Sequence, residues 1–133
     1  MIRTPTICPF CGCGCSFYLV SEADRVVGIE PNASHPVNKG MLCAKGWNAY
    51  EFIHSPERLT VPLVRKQGRL VESSWDEALG IVAERLTEIK SQYGSRALAF
   101  LASAKVTNEE NYLFMKMARA AFGTNNVDHC ARL

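Results

Sequence analysis

Residues 8–15 read Cys8-Pro9-Phe10-Cys11-Gly12-Cys13-Gly14-Cys15, and a fourth widely spaced cysteine, Cys43, lies within Met41-Leu42-Cys43-Ala44-Lys45-Gly46. The pattern C-x2-C-x3-C-x27-C organises everything around it. Three thiols so close in sequence can face one inorganic centre only if the backbone between them turns sharply, which Pro9, Gly12 and Gly14 favour. Cys43 then closes the site from a distance. An all-thiolate set of four suits a 4Fe-4S cluster. Structural zinc is the alternative, but zinc sites usually pair two C-x2-C knuckles and Cys43 has no such partner. A disulfide framework is disfavoured because Cys8 to Cys15 are too crowded for unstrained pairing and no secretory signal is visible. The radical-SAM spacing places its long gap first, the reverse of the order here.

Two cysteines stand outside this set. Cys13 alternates with Cys11 and Cys15, so its side chain is expected to point away from what they hold, as a small buried thiol. Cys130 adjoins His129, and side chains adjacent in sequence seldom meet as nucleophile and base, so a structural thiol is the expectation. His35 and His54 read as surface or capping residues, His129 as a neighbour of the active site, and Trp47 and Trp75 as packing anchors.

With 133 residues and 47% hydrophobic content the chain is long and apolar enough for a true core. Its net charge of +2, with the two signs interspersed, leaves no electrostatic footprint for nucleic acid or an anionic membrane. The residues before Cys8 lack an apolar signal segment, and the longest apolar run, 97–102, is too short to span a bilayer. These features predict a cytoplasmic protein, a compartment that keeps thiols reduced.

Along the chain, residues 16–20 and 25–30 are strand-like runs separated by polar residues 21–24, which predicts a hairpin leaving the cysteine knuckle. Residues 31–40 read as loop, 47–53 as a short helix, and 59–71 as two strands around Gly68. Ser74 and Glu77 form a capping box ahead of a helix to about Gly94, with Ala78, Leu79, Val82, Ala83, Leu86 and Ile89 on one stripe. The continuous apolar run 97–102 predicts a parallel strand buried on both faces. Thr107 and Glu110 form a second capping box for a helix ending near Gly123. Helix, strand, helix begins a doubly wound layer, and in such sheets the strand-to-helix loop binds ligands, so 103–111 is a candidate site beside the plainer reading of an ordinary connection.

CPFCGCGC, MLCAKG, SWDEAL at 74–79, TNEENY at 107–112 and FGTNNVDHCARL at the end together resemble, in order, the amino-terminal portion of molybdenum or tungsten formate dehydrogenases. The cluster knuckle with C-x-K-G is shared with nitrate reductases and other molybdopterin oxidoreductases, whereas NNVDHCARL looks specifically like the formate enzymes. The resemblance implies an α+β small 4Fe-4S domain over 1–60, followed over 61–133 by the start of an α/β doubly wound molybdopterin-binding domain. It implies that Cys8, Cys11, Cys15 and Cys43 ligate the cluster, and that Lys45 relays electrons between cluster and pterin. A fixed cation there stabilises added electron density and donates hydrogen bonds to the pterin. Implied cofactors are the 4Fe-4S cluster and, in the full-length enzyme, a Mo- or W-bis(molybdopterin guanine dinucleotide). Implied partners are the rest of the catalytic subunit and an iron-sulfur electron-transfer subunit, hydrogenase or diaphorase-type protein.

In similar enzymes the residue after a segment like 130–133 is the metal-binding Cys or selenocysteine, so the end at Leu133 suggests a selenocysteine codon read as a stop. On that expectation these residues alone neither bind the pterin stably nor oxidise formate, and an apolar sheet edge around 97–101 is exposed. The competing readings are a stand-alone iron-sulfur electron carrier, for which the second half is superfluous, a structural metal module, and another molybdopterin oxidoreductase such as nitrate reductase or formylmethanofuran dehydrogenase.

Overall fold

A computed structural model describes residues 1–130 of the chain. It divides into two compact units: Met1–Arg58 with Ala102–Phe114 and the end of the described chain, and Leu59–Leu101 with Met115–Asp128.

The first unit is built on a three-stranded antiparallel sheet in the order β1-β2-β3, with β1 at Ile2–Ile7, β2 at Ser16–Glu22 and β3 at Arg25–Pro31. The β2–β3 hairpin is the predicted one, with a bulge between Val20 and Ser21. Strand β1 was not anticipated. Pro5 interrupts its strand signal, and a proline without a backbone N–H is tolerated there because β1 is an edge strand. Its pairing runs from Ile2 opposite Ser21 to Ile7 opposite Ser16, which makes residues 8–15 the connection of a hairpin.

The expected helix at 47–53 is displaced. A single α-helical turn, α1, spans Ala44–Trp47, and a separate 3-10 turn covers Glu51–His54. Cys43 takes the extended N-cap position that starts the turn early. The core of this unit gathers Cys8, Phe17 and Ala49, with Phe10, Cys15, Leu19, Ile29 and Leu42 packed against it. Phe10 meets Phe52 edge-on at 6.1 Å between centroids, and the Arg58 guanidinium lies 4.9 Å over the Phe52 ring. Trp47 does not anchor this core, being about half exposed.

In the second unit β4 (Leu63–Lys66) and β5 (Arg69–Glu72) form the hairpin expected around Gly68. Gln67 and Gly68 both have positive φ, 51° and 81°, the signature of a type I′ turn. Helix α2 runs Trp75–Tyr93. The Ser74 side chain accepts from the Glu77 N–H at 3.1 Å, as predicted, but the Glu77 carboxylate turns to the Ser73 hydroxyl and Lys66. Its apolar stripe is not buried: Leu79 and Val82 are exposed, and Trp75, expected to be an anchor, is 65% exposed.

The strand of the 97–102 run is shorter and later than expected. A 3-10 turn occupies Ser95–Ala97, and β6 spans Phe100–Ser103, pairing with β7 at Val127–Cys130. Leu98 and Phe100 are buried, whereas Leu101 is 79% exposed, so the strand is covered on one face rather than two. Ala97, Ala99 and Leu101 are all exposed, so the expected apolar edge is present at alternate residues of the run. Thr124 and Asn126 hold this region together through the Leu98 carbonyl, and Phe100 N–H donates to Asn126 O at 2.8 Å. Helix α3, Asn108–Ala120, carries the complete capping box: Thr107 N–H donates to the Glu110 carboxylate at 2.7 Å, and Glu110 N–H to Thr107 Oγ1 at 3.3 Å.

Candidate iron-sulfur site

The hairpin formed by β1 and β2 holds the first three cysteines. Beyond the last paired residues, Ile7 and Ser16, the Cys8 N–H donates to the Cys15 carbonyl at 2.8 Å and pins the ends of the loop. Inside it Gly14 takes φ +76°, a left-handed conformation that suits glycine. Gly12 is small for another reason: the side-chain amide of Asn108, at the start of α3, donates to the Gly12 carbonyl at 2.7 Å, and a Cβ at Gly12 would stand 2.6 Å from Asn108 Oδ1.

These constraints crowd the thiols. Burial pushes the Cys15 thiol up to about 11, reinforced by its contact with the Cys13 sulfur and by the thiols of Cys8 and Cys11. Cys13 departs from its expected place: it is exposed, and its sulfur lies 3.7 Å from that of Cys15. Strict alternation of side chains requires extended backbone, and the turn through Gly12–Gly14 removes it.

Cys43 reaches the same unit by another route. Leu42, its neighbour, packs on the core shared by Cys8 and Cys15, and Gly46 is buried against Leu42, so the turn 42–46 is tight. At the N-cap of α1 the Cys43 thiol is exposed and held below its ordinary value by the Gly46 N–H, then by the Lys45 N–H and the Lys45 ammonium. Lys45 itself is exposed. Thiolate, not thiol, is the ligating form, so a depressed Cys43 favours binding, while the rise at Cys15, from burial first and from the neighbouring thiols second, is a cost that a cationic centre offsets.

Among the described residues no three Cys, His, Asp or Glu side chains converge on one point, as the ligands of a single ion must. A cubane asks for something else: each thiolate meets a different iron at its own corner, so the sulfurs stand apart. An all-sulfur donor set on a pinned hairpin, with a fourth, exposed thiol beside a residue packed on the same core, fits that group.

The loop 103–111 satisfies itself. Asn111 donates to the Ser103 carbonyl at 3.0 Å, Lys105 N–H to the Ser103 hydroxyl at 3.0 Å, and Glu110 occupies the cap of α3. An open cavity of about 400 Å³ beside it is lined by Asn108, Glu109, Tyr112 and Leu113. His54 is exposed as expected, and its Nε2 accepts from the Val26 N–H at 2.9 Å, next to the β-bulge. His35 is half-buried against Asn38. Cys130 is exposed rather than packed. The reading of 131–133 as the approach to a metal ligand lies outside the described residues.

Sequence reasoning reached Asn108 only as one residue of the candidate loop 103–111 and of TNEENY, and passed over Asn38. Their contacts with Gly12 and Ser16 are distant in sequence, so neither left a local signal.

Comparison with known proteins agrees with the site. Residues 1–55 match the model of the molybdopterin oxidoreductase Fe4S4 domain, and residues 58–133 that of molybdopterin oxidoreductase. An F420-dependent formate dehydrogenase subunit alpha of Methanocaldococcus jannaschii is 52% identical over 128 residues, 96% of this chain and 18% of that protein. A putative formate dehydrogenase of Bacillus subtilis is 50% identical over 130 residues, 98% of this chain and 13% of that protein. An F420-dependent formate dehydrogenase 1 subunit alpha of Methanococcus maripaludis is 50% identical, with 96% and 18% covered. The chain thus spans less than a fifth of the length of these relatives.

Proposed function

Because the chain belongs to the molybdopterin oxidoreductase family, whose cofactors are a 4Fe-4S cluster and a molybdopterin, we propose that it forms the amino-terminal part of a formate dehydrogenase catalytic subunit. The observation that carries this reading is identity of about half, in order, to formate dehydrogenases over almost the whole chain. The reaction converts formate to carbon dioxide, one proton and two electrons, or runs in reverse. When bound, the pterin-held molybdenum or tungsten supplies the two-electron chemistry and the cluster passes electrons singly to a redox partner.

The roles of this chain's own residues follow from their chemistry. Cys8, Cys11 and Cys15 on the pinned hairpin, and Cys43 at its N-cap, hold the cluster as thiolates. Lys45 keeps a positive charge beside Cys43, which favours the reduced cluster and offers a donor toward the pterin. The cluster domain occupies 1–60 and the α/β part 61–133. The rest of the catalytic subunit and an iron-sulfur, hydrogenase or diaphorase-type subunit are the partners, in the cytoplasm. Among the described residues no helix is long and apolar enough to cross a membrane.

Anaerobic iron, zinc and acid-labile sulfide analysis of the 133-residue chain, with its absorption spectrum, tests the centre. The expected result is about four irons and four sulfides per chain, disrupted by Cys43→Ala. One zinc without sulfide overturns it.

A further inference from the structure

Asn38 is 6% exposed and lies in the loop that the sequence offered only as a connection. Its side chain uses every hydrogen-bonding position that an amide has. Oδ1 accepts from the Ser16 N–H at 3.0 Å and faces His35 Nδ1 at 3.0 Å; because Oδ1 carries no hydrogen, that ring nitrogen is the donor. Nδ2 donates to the Ser16 carbonyl at 3.1 Å and to the Met41 carbonyl at 3.1 Å.

Ser16 is thereby bonded through both its N–H and its carbonyl, as a neighbouring strand would bond it, at the point where β3 has already ended opposite Phe17. Ser16 is the residue after Cys15, and Met41 stands two residues before Cys43. One buried amide therefore ties the segment carrying the third cysteine to the segment carrying the fourth. No other side chain of this length offers two donors and two acceptors: aspartate lacks the donors, serine has one, and glutamine is a methylene longer.

We propose that Asn38 is a positioning residue for the four-cysteine site, setting the place of Cys43 relative to the hairpin that carries Cys8, Cys11 and Cys15. The proposal rests on the reading that these four thiolates hold a 4Fe-4S cluster. Its consequence is selective. Loosening Asn38 weakens the attachment of one corner of the cube, the iron that Cys43 holds, and leaves the three hairpin thiolates in place.

The test loads the full chain with iron and sulfide anaerobically, as wild type, Asn38→Asp, Asn38→Ser and Asn32→Ala. Asn32 lies in the same loop, but its side chain bonds the Ser16 hydroxyl and Ser34 rather than the backbone of Ser16 or Met41. Iron, sulfide and the EPR spectrum after mild oxidation are read together. The expected result is that Asn38→Asp retains about four sulfides but about three irons, with the EPR signal of a three-iron cluster, while wild type and Asn32→Ala keep about four of each. A general loss of fold cannot produce this, because it removes iron and sulfide in parallel. If Asn38→Asp sheds both together, the neutral Asn38→Ser decides: selective iron loss supports the proposal, and an unchanged cluster or joint loss overturns it. A wild-type four-iron cluster retained in Asn38→Asp overturns it too, as does equal selective loss in Asn32→Ala. A wild-type chain that takes up no cluster refutes instead the reading beneath it, and the proposal falls with that reading.

Discussion

Replacing Gly12 with alanine tests the contact between the cysteine hairpin and the first turn of α3. The added Cβ would stand 2.6 Å from Asn108 Oδ1 and 3.4 Å from its Cγ. Because these atoms end a side chain, the amide can swing aside, but only by giving up its 2.7 Å bond to the Gly12 carbonyl. Such a bond contributes about 0.5–1.5 kcal/mol. Gly12 is not among the glycines with positive φ, so alanine is otherwise permitted, and it restricts the unfolded chain by about 0.4–1 kcal/mol. The two effects oppose each other in the wild type, where the net change should be small or destabilising. In an Asn108→Ala background the clash and the bond are both gone, and Gly12→Ala should stabilise by the entropic amount. The assay is the rate of cluster-absorbance loss in urea for the four chains, which reads the native-state clash and bond, and hence their coupling, but not the entropic gain in the unfolded chain. A coupling of about 0.5–1.5 kcal/mol corresponds to a non-additivity of roughly two- to twelvefold in rate. Equal effects of Gly12→Ala in both backgrounds would refute the contact.

Phe17, 1% exposed at the centre of the core under the site, should cost about 3–5 kcal/mol on truncation to alanine, read as a lower thermal midpoint and faster cluster loss. Cys13→Ser should leave iron and sulfide at wild-type levels, because Cys13 is an exposed neighbour of Cys15 outside the proposed set of Cys8, Cys11, Cys15 and Cys43; a lost cluster would reassign the ligand set. Lys45→Gln removes the cation beside Cys43 and should make the cluster potential more negative in an EPR-monitored redox titration, with an unchanged potential counting against its electronic role. Lys66 and the Ser73 hydroxyl hold the Glu77 carboxyl below its ordinary value. A depressed folded value contributes stability above the unfolded carboxylate pKa that is lost as pH falls through the folded one. Thermal unfolding of wild type and Glu77→Gln should therefore differ slightly at neutral pH and converge in acid; a gap that widens in acid contradicts the assignment.

Much of this molecule is local and was therefore readable from the chain alone. The spacing of Cys8, Cys11, Cys15 and Cys43 and the capping residues of both long helices act over a few neighbours, or through residue chemistry that does not depend on the fold. The type I′ turn at Gln67 and Gly68 is local in the same way. The failures share a cause. Strand β1 carries Pro5 and exists because β2 offers it a ladder, so no propensity in residues 2–7 could reveal it. Cys13 was assigned by an alternation that the glycine turn cancels. Trp47 and Trp75 are expected to pack because they are large and apolar, yet what covers a side chain is set by elements far away in sequence.

Residue types and their spacing thus determined that this chain presents four cysteine thiols in a ligand-like spacing, and where its two long helices and the β2–β3 and β4–β5 hairpins lie. Only the tertiary structure decided how those cysteines are held: by the β1–β2 hairpin bond from Cys8 to Cys15, by Asn108 against Gly12, and by the buried Asn38 amide joining Ser16 to Met41. Local propensity is written into adjacent residues. The bonds from Asn108 to Gly12 and from Asn38 to Ser16 join positions tens of residues apart, and such bonds exist only after the chain has closed the loop between them.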